Sequence, residues 1–414
     1  MIGKIASTGY FASYTSIPKP IWVLSAGAFI NSFHQVAFIF LTLYLTQGRG
    51  FHLDETGFVL FGLGFGAVFG SYVGGRLIDR FGARTLLLAS LGGSTPALAL
   101  APFMTSATGV AACMAIAAVA QSAFRPAYNA TIIDVASEED RSRSYSLYLV
   151  MVNLGVAIAA TVAGHLILID YTLVFLVACM GPLAGLAYLS VATKRLGVRG
   201  ARDGRPDAGP ADAGRAPAAR MRPHRDKAFL LVCAGTLTLA MISTQIRAIS
   251  PLYLDAAYGF GAQRFALLQT ASSSLLVLLS VPVTSWIKRF DKRWPLLYAG
   301  LALSTGVGGL PFGTALTGPA QEAFVWLSMI VWTSGSIILW PVVTSIAMDR
   351  AGATGARGEY LGVYNSLHSI SSLIAPALGA VAYGRLGGDV IWSACLAGGW
   401  ASTLLLAFAA GRKP

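Results

Sequence analysis

Long apolar stretches, each bounded by charges or by Gly and Pro, recur twelve times along this sequence. They run at roughly 21–46, 56–78, 85–104, 108–133, 144–168 and 171–193, and again at roughly 228–254, 264–287, 295–316, 321–348, 360–384 and 389–411. A helix needs about 20 apolar residues to cross a hydrocarbon core about 30 Å thick. Within that core only helices and closed barrels satisfy every backbone polar group. None of the stretches shows the ~10-residue alternation of barrel strands, so they predict an all-α polytopic membrane protein with 12 transmembrane helices. Composition agrees: 55% of the 414 residues are hydrophobic and 12% are charged, about half the charged share of a soluble domain. The first apolar run is long, follows a polar segment and lacks a small-residue cleavage site, so it reads as a span and not a cleaved signal.

The net charge of +12 raises the question of a nucleic-acid partner, and its placement excludes one. With the amino terminus cytoplasmic, all Lys and Arg except Arg49, Arg125, Arg247, Arg264 and Arg385 fall at cytoplasmic positions. That is the positive-inside bias that orients membrane proteins. The sequence therefore predicts a multi-pass protein of a cytoplasmic (inner) membrane with both termini cytoplasmic. The four cysteines, Cys113, Cys179, Cys233 and Cys395, stand singly in apolar stretches, without metal-ligand or redox spacing.

Between the two sets of six, residues 197–226 are rich in Arg, Ala, Gly, Pro and Asp and nearly free of large apolar side chains. Such a stretch buries too little surface to offset its ordering entropy, which predicts a flexible cytoplasmic linker between domains 1–196 and 227–414. The halves are copies. Leu43-Tyr44-Leu45 with Gly50-Phe51 returns as Leu252-Tyr253-Leu254 with Gly259-Phe260, and Arg80-Phe81 and Arg84 return as Arg289-Phe290 and Arg293. Pro126 to Asp134 returns as Pro341 to Asp349, and Arg141 with Tyr148 as Arg357 with Tyr364. Two same-sense copies of six spans predict pseudo-symmetric six-helix bundles related by an axis along the membrane normal, with substrate bound between them.

The most specific motif is Gly75-Arg76-Leu77-Ile78-Asp79-Arg80-Phe81-Gly82-Ala83-Arg84, in the turn after the second span. Gly75 lets two helices approach closely, Gly82 permits the φ of a tight turn, and Asp79 suits the positive end of a neighbouring helix. Arg80 or Arg84 can pair with Asp134 at the end of the fourth span. The motif resembles motif A of the major facilitator superfamily, departing at Ala83, where a basic residue is usual. The degraded copy Ser285 to Arg293 extends the resemblance over the whole chain. Phe124 to Arg141 and Trp340 to Gly362 look most like the drug:proton antiporter branch, in particular multidrug efflux proteins of the MdtH type. Residues 110–123 contain no motif B Arg, and motif C is represented only by Asn153-Leu154-Gly155 through Ala163-Gly164, without its Pro. The resemblance implies a secondary active exporter of a drug or metabolite, driven by the proton gradient and working by alternating access. Gly75, Asp79, Arg80, Gly82, Arg84 and Asp134 would form its cytoplasmic gate.

No carboxylate falls clearly mid-membrane, and histidine takes its place. His34 lies in the first span with Asn31, Gln35 and Phe38 at helical spacing, so the four share a face. First spans line the central cavity in the superfamily it resembles, which makes this face a candidate substrate or proton site. A neutral His bonded to a neighbouring helix is the competing reading. Arg247, a charge inside the seventh span, should face water or a partner, unless it snorkels to the outer surface. Arg125, beside Pro126 towards the inner end, reads as a structural or gate residue. Trp332 and Trp340 are the aromatics expected at the cavity or its inner mouth, whereas Trp22, Trp286 and Trp294 suit the membrane interface. No P-loop occurs, and no nucleophile–base or metal-ligand cluster falls in the spans. Neither an enzyme nor a metal or cofactor is expected. The partners predicted are a small amphipathic organic substrate, protons and the lipid bilayer, with the chain acting as a monomer. An uptake permease or uniporter on the same fold and a non-transporting receptor remain open alternatives.

Overall fold

Each apolar stretch is helical, because in hydrocarbon a helix pairs its own backbone groups. The computed structural model describes residues 17–137, 140–198, 226–287, 289–354 and 357–410. The long helices are α1 (Lys19–Asn31), α2 (Leu53–Phe81), α3 (Ala83–Leu100), α4 (Ala107–Val135), α5 (Arg141–Leu166) and α6 (Tyr171–Arg195). After them come α7 (Lys227–Ala248), α8 (Ala262–Ile287), α9 (Arg293–Gly308), α10 (Pro319–Thr354), α11 (Arg357–Leu386) and α12 (Gly388–Ala410). There is no strand among the described residues, so the fold is all-α as the sequence predicts. Among the described residues, ten helical stretches are long and apolar enough to cross a membrane. With 16 residues, α9 is about 24 Å long at 1.5 Å per residue, and the 3₁₀ turn Leu310–Ala315 extends it.

The molecular surface confirms the solvent. Phe58, Phe61, Phe65, Phe69 and Tyr72 form an outward stripe on α2, each 45–60% exposed. A water-soluble protein does not tolerate so long an apolar stripe; a lipid-soluble one does.

The chain forms two compact units, one of Met1–Gly204 with Gly261–Val277, the other of Arg205–Phe260 with Leu278–Pro414. Unit 1 therefore holds α1–α6 and the first part of α8. Its central contact is α2 on α4, made possible by Gly62, Gly66, Gly70 and Gly74, spaced every four residues along one face. A methyl group on Gly66 would lie 2.3 Å from the Ala115 carbonyl oxygen, and one on Gly70 only 2.2 Å from that of Val119. The two backbones touch, as small-residue ladders allow in membranes. The first part of α8 packs on α5, where the Thr161 and Thr270 hydroxyls meet at 2.7 Å and Thr270 donates to Ala157 O at 3.1 Å.

Unit 2 uses close approach elsewhere. Gly306 of α9 abuts the Trp332 backbone on α10, and Gly300 of α9 abuts Thr403 of α12. Its first helix is capped by Asp226, which accepts from the Phe229 amide at 2.9 Å and from the Tyr360 hydroxyl of α11 at 3.2 Å. Asp226 is 5% exposed. Most of the expected linker, residues 199–225, lies outside the described residues.

Candidate substrate and proton site

The site in unit 1 begins with an interruption of the first helix. After Asn31 the chain tightens into a 3₁₀ turn, Ser32–His34, before helix resumes at Gln35–Ile39. The Gln35 amide turns back to Ser32 O, and the Asn31 carbonyl receives the His34 ring at 2.5 Å through Nδ1. A carbonyl only accepts, so Nδ1 carries the proton and Nε2 is the nitrogen able to bind a second one. Two neighbouring helices hold the turn in place. A Cβ on Gly155 of α5 would meet Ser32 Oγ at 2.0 Å, and one on Gly181 of α6 would meet the Phe33 Cβ at 2.9 Å. Gly155 belongs to the motif C remnant, and its local task is to admit this turn.

Behind the turn lies a buried amide network. Asn31 Nδ2 donates to Gln121 Oε1 at 3.1 Å, and Gln121 Nε2 donates to Asn31 Oδ1 at 3.1 Å and to Ser94 Oγ at 2.9 Å. Three helices, α1, α3 and α4, are thereby locked in register. An unpaired amide here would cost about 1–3 kcal/mol. One turn further along α4, Arg125 donates to the Tyr145 hydroxyl at 2.5 Å. Tyr145 packs on Tyr148 with ring centroids 5.7 Å apart, and Tyr148 on Tyr128 at 4.4 Å. Tyr128 in turn shares a 3.0 Å hydrogen bond with Ser25.

Side chains here border a half-open cavity of about 150 Å³. Ala28, Asn31, Ser32, His34 and Gln35 line it from the first helix, Gln121, Phe124 and Arg125 from α4, and Tyr148 and Val152 from α5. Three of the four residues that share the predicted face, Asn31, His34 and Gln35, thus meet in one cavity. Phe38 stands against His34 edge-on at 5.6 Å. Gln121, Arg125 and Tyr148 complete the walls; their sequence signal was a Gln–Arg pair four residues apart, in a helix with no other charge before Asp134.

The remaining predicted residues lie elsewhere. Arg247 is exposed in the last turn of α7, where the helix dipole favours a cation. Trp332 is 4% exposed, packed at Gly306. Trp340 rests on His368 of α11 at 4.8 Å, and His368 on Tyr364 at 5.7 Å. In the turn between α2 and α3 Gly82 has φ 81°, a region open to glycine. Arg80 lies over the Phe81 ring, and Arg84 donates to Thr193 Oγ1 at 3.0 Å and Ser190 O at 3.4 Å on α6. The side chains of Gly75, Asp79 and Asp134 lie outside the described part. Unit 2 also holds an apolar groove of about 520 Å³, walled by Trp286 of α8, Trp294 and Tyr298 of α9, and Ile337 and Ile338 of α10. No cluster of three or more potential metal ligands occurs among the described residues.

Comparison with known proteins agrees with this architecture. The family model described as Major Facilitator Superfamily matches residues 24–376. A Na(+), Li(+), K(+)/H(+) antiporter of Planococcus maritimus is 22% identical over 376 residues, spanning 84% of this chain and 85% of that protein. Multidrug resistance protein MdtH of Edwardsiella ictaluri is 26% identical over 303 residues, 70% of this chain and 67% of that one. Among solved structures, a POT family transporter in complex with 5-aminolevulinic acid has a TM-score of 0.77 at 15% identity, covering 94% of this chain and 95% of that chain. At that identity the likeness concerns the fold.

Proposed function

Because this chain belongs to the Major Facilitator Superfamily, a family of membrane transporters and not enzymes, we propose that it exports a small amphipathic organic molecule in exchange for protons. It would do so by alternating access, as a monomer in the cytoplasmic membrane with both termini cytoplasmic. The observation that carries the reading is His34: an imidazole in a polar cavity, its Nδ1 engaged by Asn31 O at 2.5 Å and its Nε2 left for the exchanged proton. An imidazole can take up and release a proton at one ring nitrogen while the other stays bonded. The names of two relatives, an antiporter and a multidrug resistance protein, support the coupling and the substrate class.

The test is flux in proteoliposomes under an imposed pH gradient. Gradient-driven counterflow is expected for the native chain and should be lost in His34→Ala while the protein stays folded. Normal pH-dependent transport in that variant excludes His34 as the coupling group, and flux indifferent to pH replaces exchange by uniport.

The cytoplasmic turn Gly75 to Arg84 is the second functional element of this reading. It would latch the cytoplasmic side during the outward-facing part of the cycle, with Gly82 shaping the turn and Arg84 tying it to α6. Unchanged transport and unchanged inward/outward balance in Asp79→Asn would remove the latch.

A further inference from the structure

The charge inventory of the unit 1 cavity goes beyond the class of small organic molecule. Residues 19–48, which include the first helix, and residues 141–166, which form α5, contain no Asp or Glu, and α4 contains only Asp134. Asp134 is nine residues beyond Arg125, about 13 Å along the axis at 1.5 Å per residue. Among the described residues lining the cavity, Arg125 is the single permanent charge and no carboxylate accompanies it. We infer that this cavity receives the anionic head of the transported molecule, so that the substrate is an amphipathic organic anion selected by Arg125. The inference rests on the proposed function, since it assigns a substrate class to the same cavity.

The geometry suits the task. A guanidinium has five N–H donors in a fork that matches carboxylate, sulfonate or phosphate oxygens. One of Arg125's goes to Tyr145 at 2.5 Å, which orients the fork. Arg125 is exposed, so its remaining donors are open to an incoming anion. An organic cation entering here would meet like charge, with no carboxylate among the described lining residues to neutralise it. Size sets the division of labour. The cavity's volume of about 150 Å³ is well below the ~300–1,000 Å³ of a drug-sized pocket. An acidic head group fits, while the apolar body must lie outside.

The experiment uses three probes with one ring system: 1-naphthaleneacetate, its neutral amide, and 1-naphthylmethylammonium. Their binding to the purified full chain is measured by calorimetry. The anion should bind at least about tenfold more tightly than the amide, the lower end of what a charge-assisted hydrogen bond contributes, and more tightly still than the ammonium. Arg125→Gln should erase the anion's advantage without changing amide affinity, and Arg125→Lys should keep part of it, since a point charge lacks the fork. A ranking in which the ammonium equals or exceeds the anion overturns the inference, as does an anion preference that survives in Arg125→Gln. Should that variant fail to fold, the ranking on the native chain decides alone. Flux separates the two proposals. Anion binding without flux in proteoliposomes supports the pocket and sinks the transport reading. Ammonium flux untouched by Arg125→Lys sinks the pocket and keeps the transporter.

Discussion

Helices α4 and α10 stand at corresponding places in the two copies of the repeat, and they have been put to opposite uses. The offset that aligns Pro126 with Pro341 also aligns Arg125 with Trp340. In unit 1 that position carries a guanidinium among tyrosines; in unit 2 it carries an indole set edge-on against His368. The contrast continues up the same helices. Gly70 and Gly74 of α2 touch Val119 and Ala123 of α4, whereas the matching residues of unit 2 are Leu279 and Val283 opposite Ser334 and Ile338. All four of these line the 520 Å³ groove. Bulk at the first pair of positions holds the helices apart, and the groove is the space that results. At the α2–α3 turn and its counterpart between α8 and α9 the roles reverse. Ala83, where a basic residue is usual in the motif, aligns with Lys292, which bridges Asp349 and donates to Ser345 at 2.7 Å. Duplication thus preserved where helices run, while close packing, charge and aromatic surface were distributed unequally between the copies.

The largest expected effect comes from filling the ladder. Gly70→Leu places a side chain into the α4 backbone and should abolish monodisperse protein in size-exclusion chromatography, while Gly70→Ala should destabilise by roughly 1–3 kcal/mol through overpacking. The mirror change, Leu279→Ala, removes a side chain that is 40% exposed and should leave the elution profile intact. Equal damage from Leu279→Ala and Gly70→Leu would erase the distinction between a packed pair and an open one. Next in size is the amide network. Gln121→Leu strands the Asn31 amide and should cost roughly 1–3 kcal/mol, measured by thermal unfolding in detergent; Asn31→Leu combined with Gln121→Leu should recover part of the loss. The smallest effect belongs to the surface pair. Lys292 and Asp349 side chains are 42% and 65% exposed, so Lys292→Ala should cost less than about 1 kcal/mol and the difference should shrink in high salt. A salt-independent loss would mean the pair is more than a solvated contact.

The helices, their number and their duplication were legible because spanning lipid imposes a length and a composition that no soluble fold shares. The His34 face was legible for a similar reason: three polar residues in an apolar run demand partners. Which partners they find was not. Asn31 meets Gln121, 90 positions away, and helical periodicity says nothing about which faces of two distant helices meet. The 3₁₀ turn at Ser32–His34 also escaped, since its cause is the pressure of α5 and α6 and no Gly or Pro marks it locally. Arg125 was assigned a structural or gate role from its neighbour Pro126; its place in the cavity follows from Gln121 one turn earlier, a relation visible in the sequence once the helix face is drawn.

Asp226 has a consequence for how this chain is read out during synthesis and over evolution. The first turn of α7 takes its capping carboxylate from the residue just before it, and the same carboxylate accepts the Tyr360 hydroxyl. The register of that helix is therefore written locally. Insertions, deletions and drift in the thirty or so positions upstream leave the cap untouched, so the stretch joining the two copies is free to diverge while Asp226 itself is not.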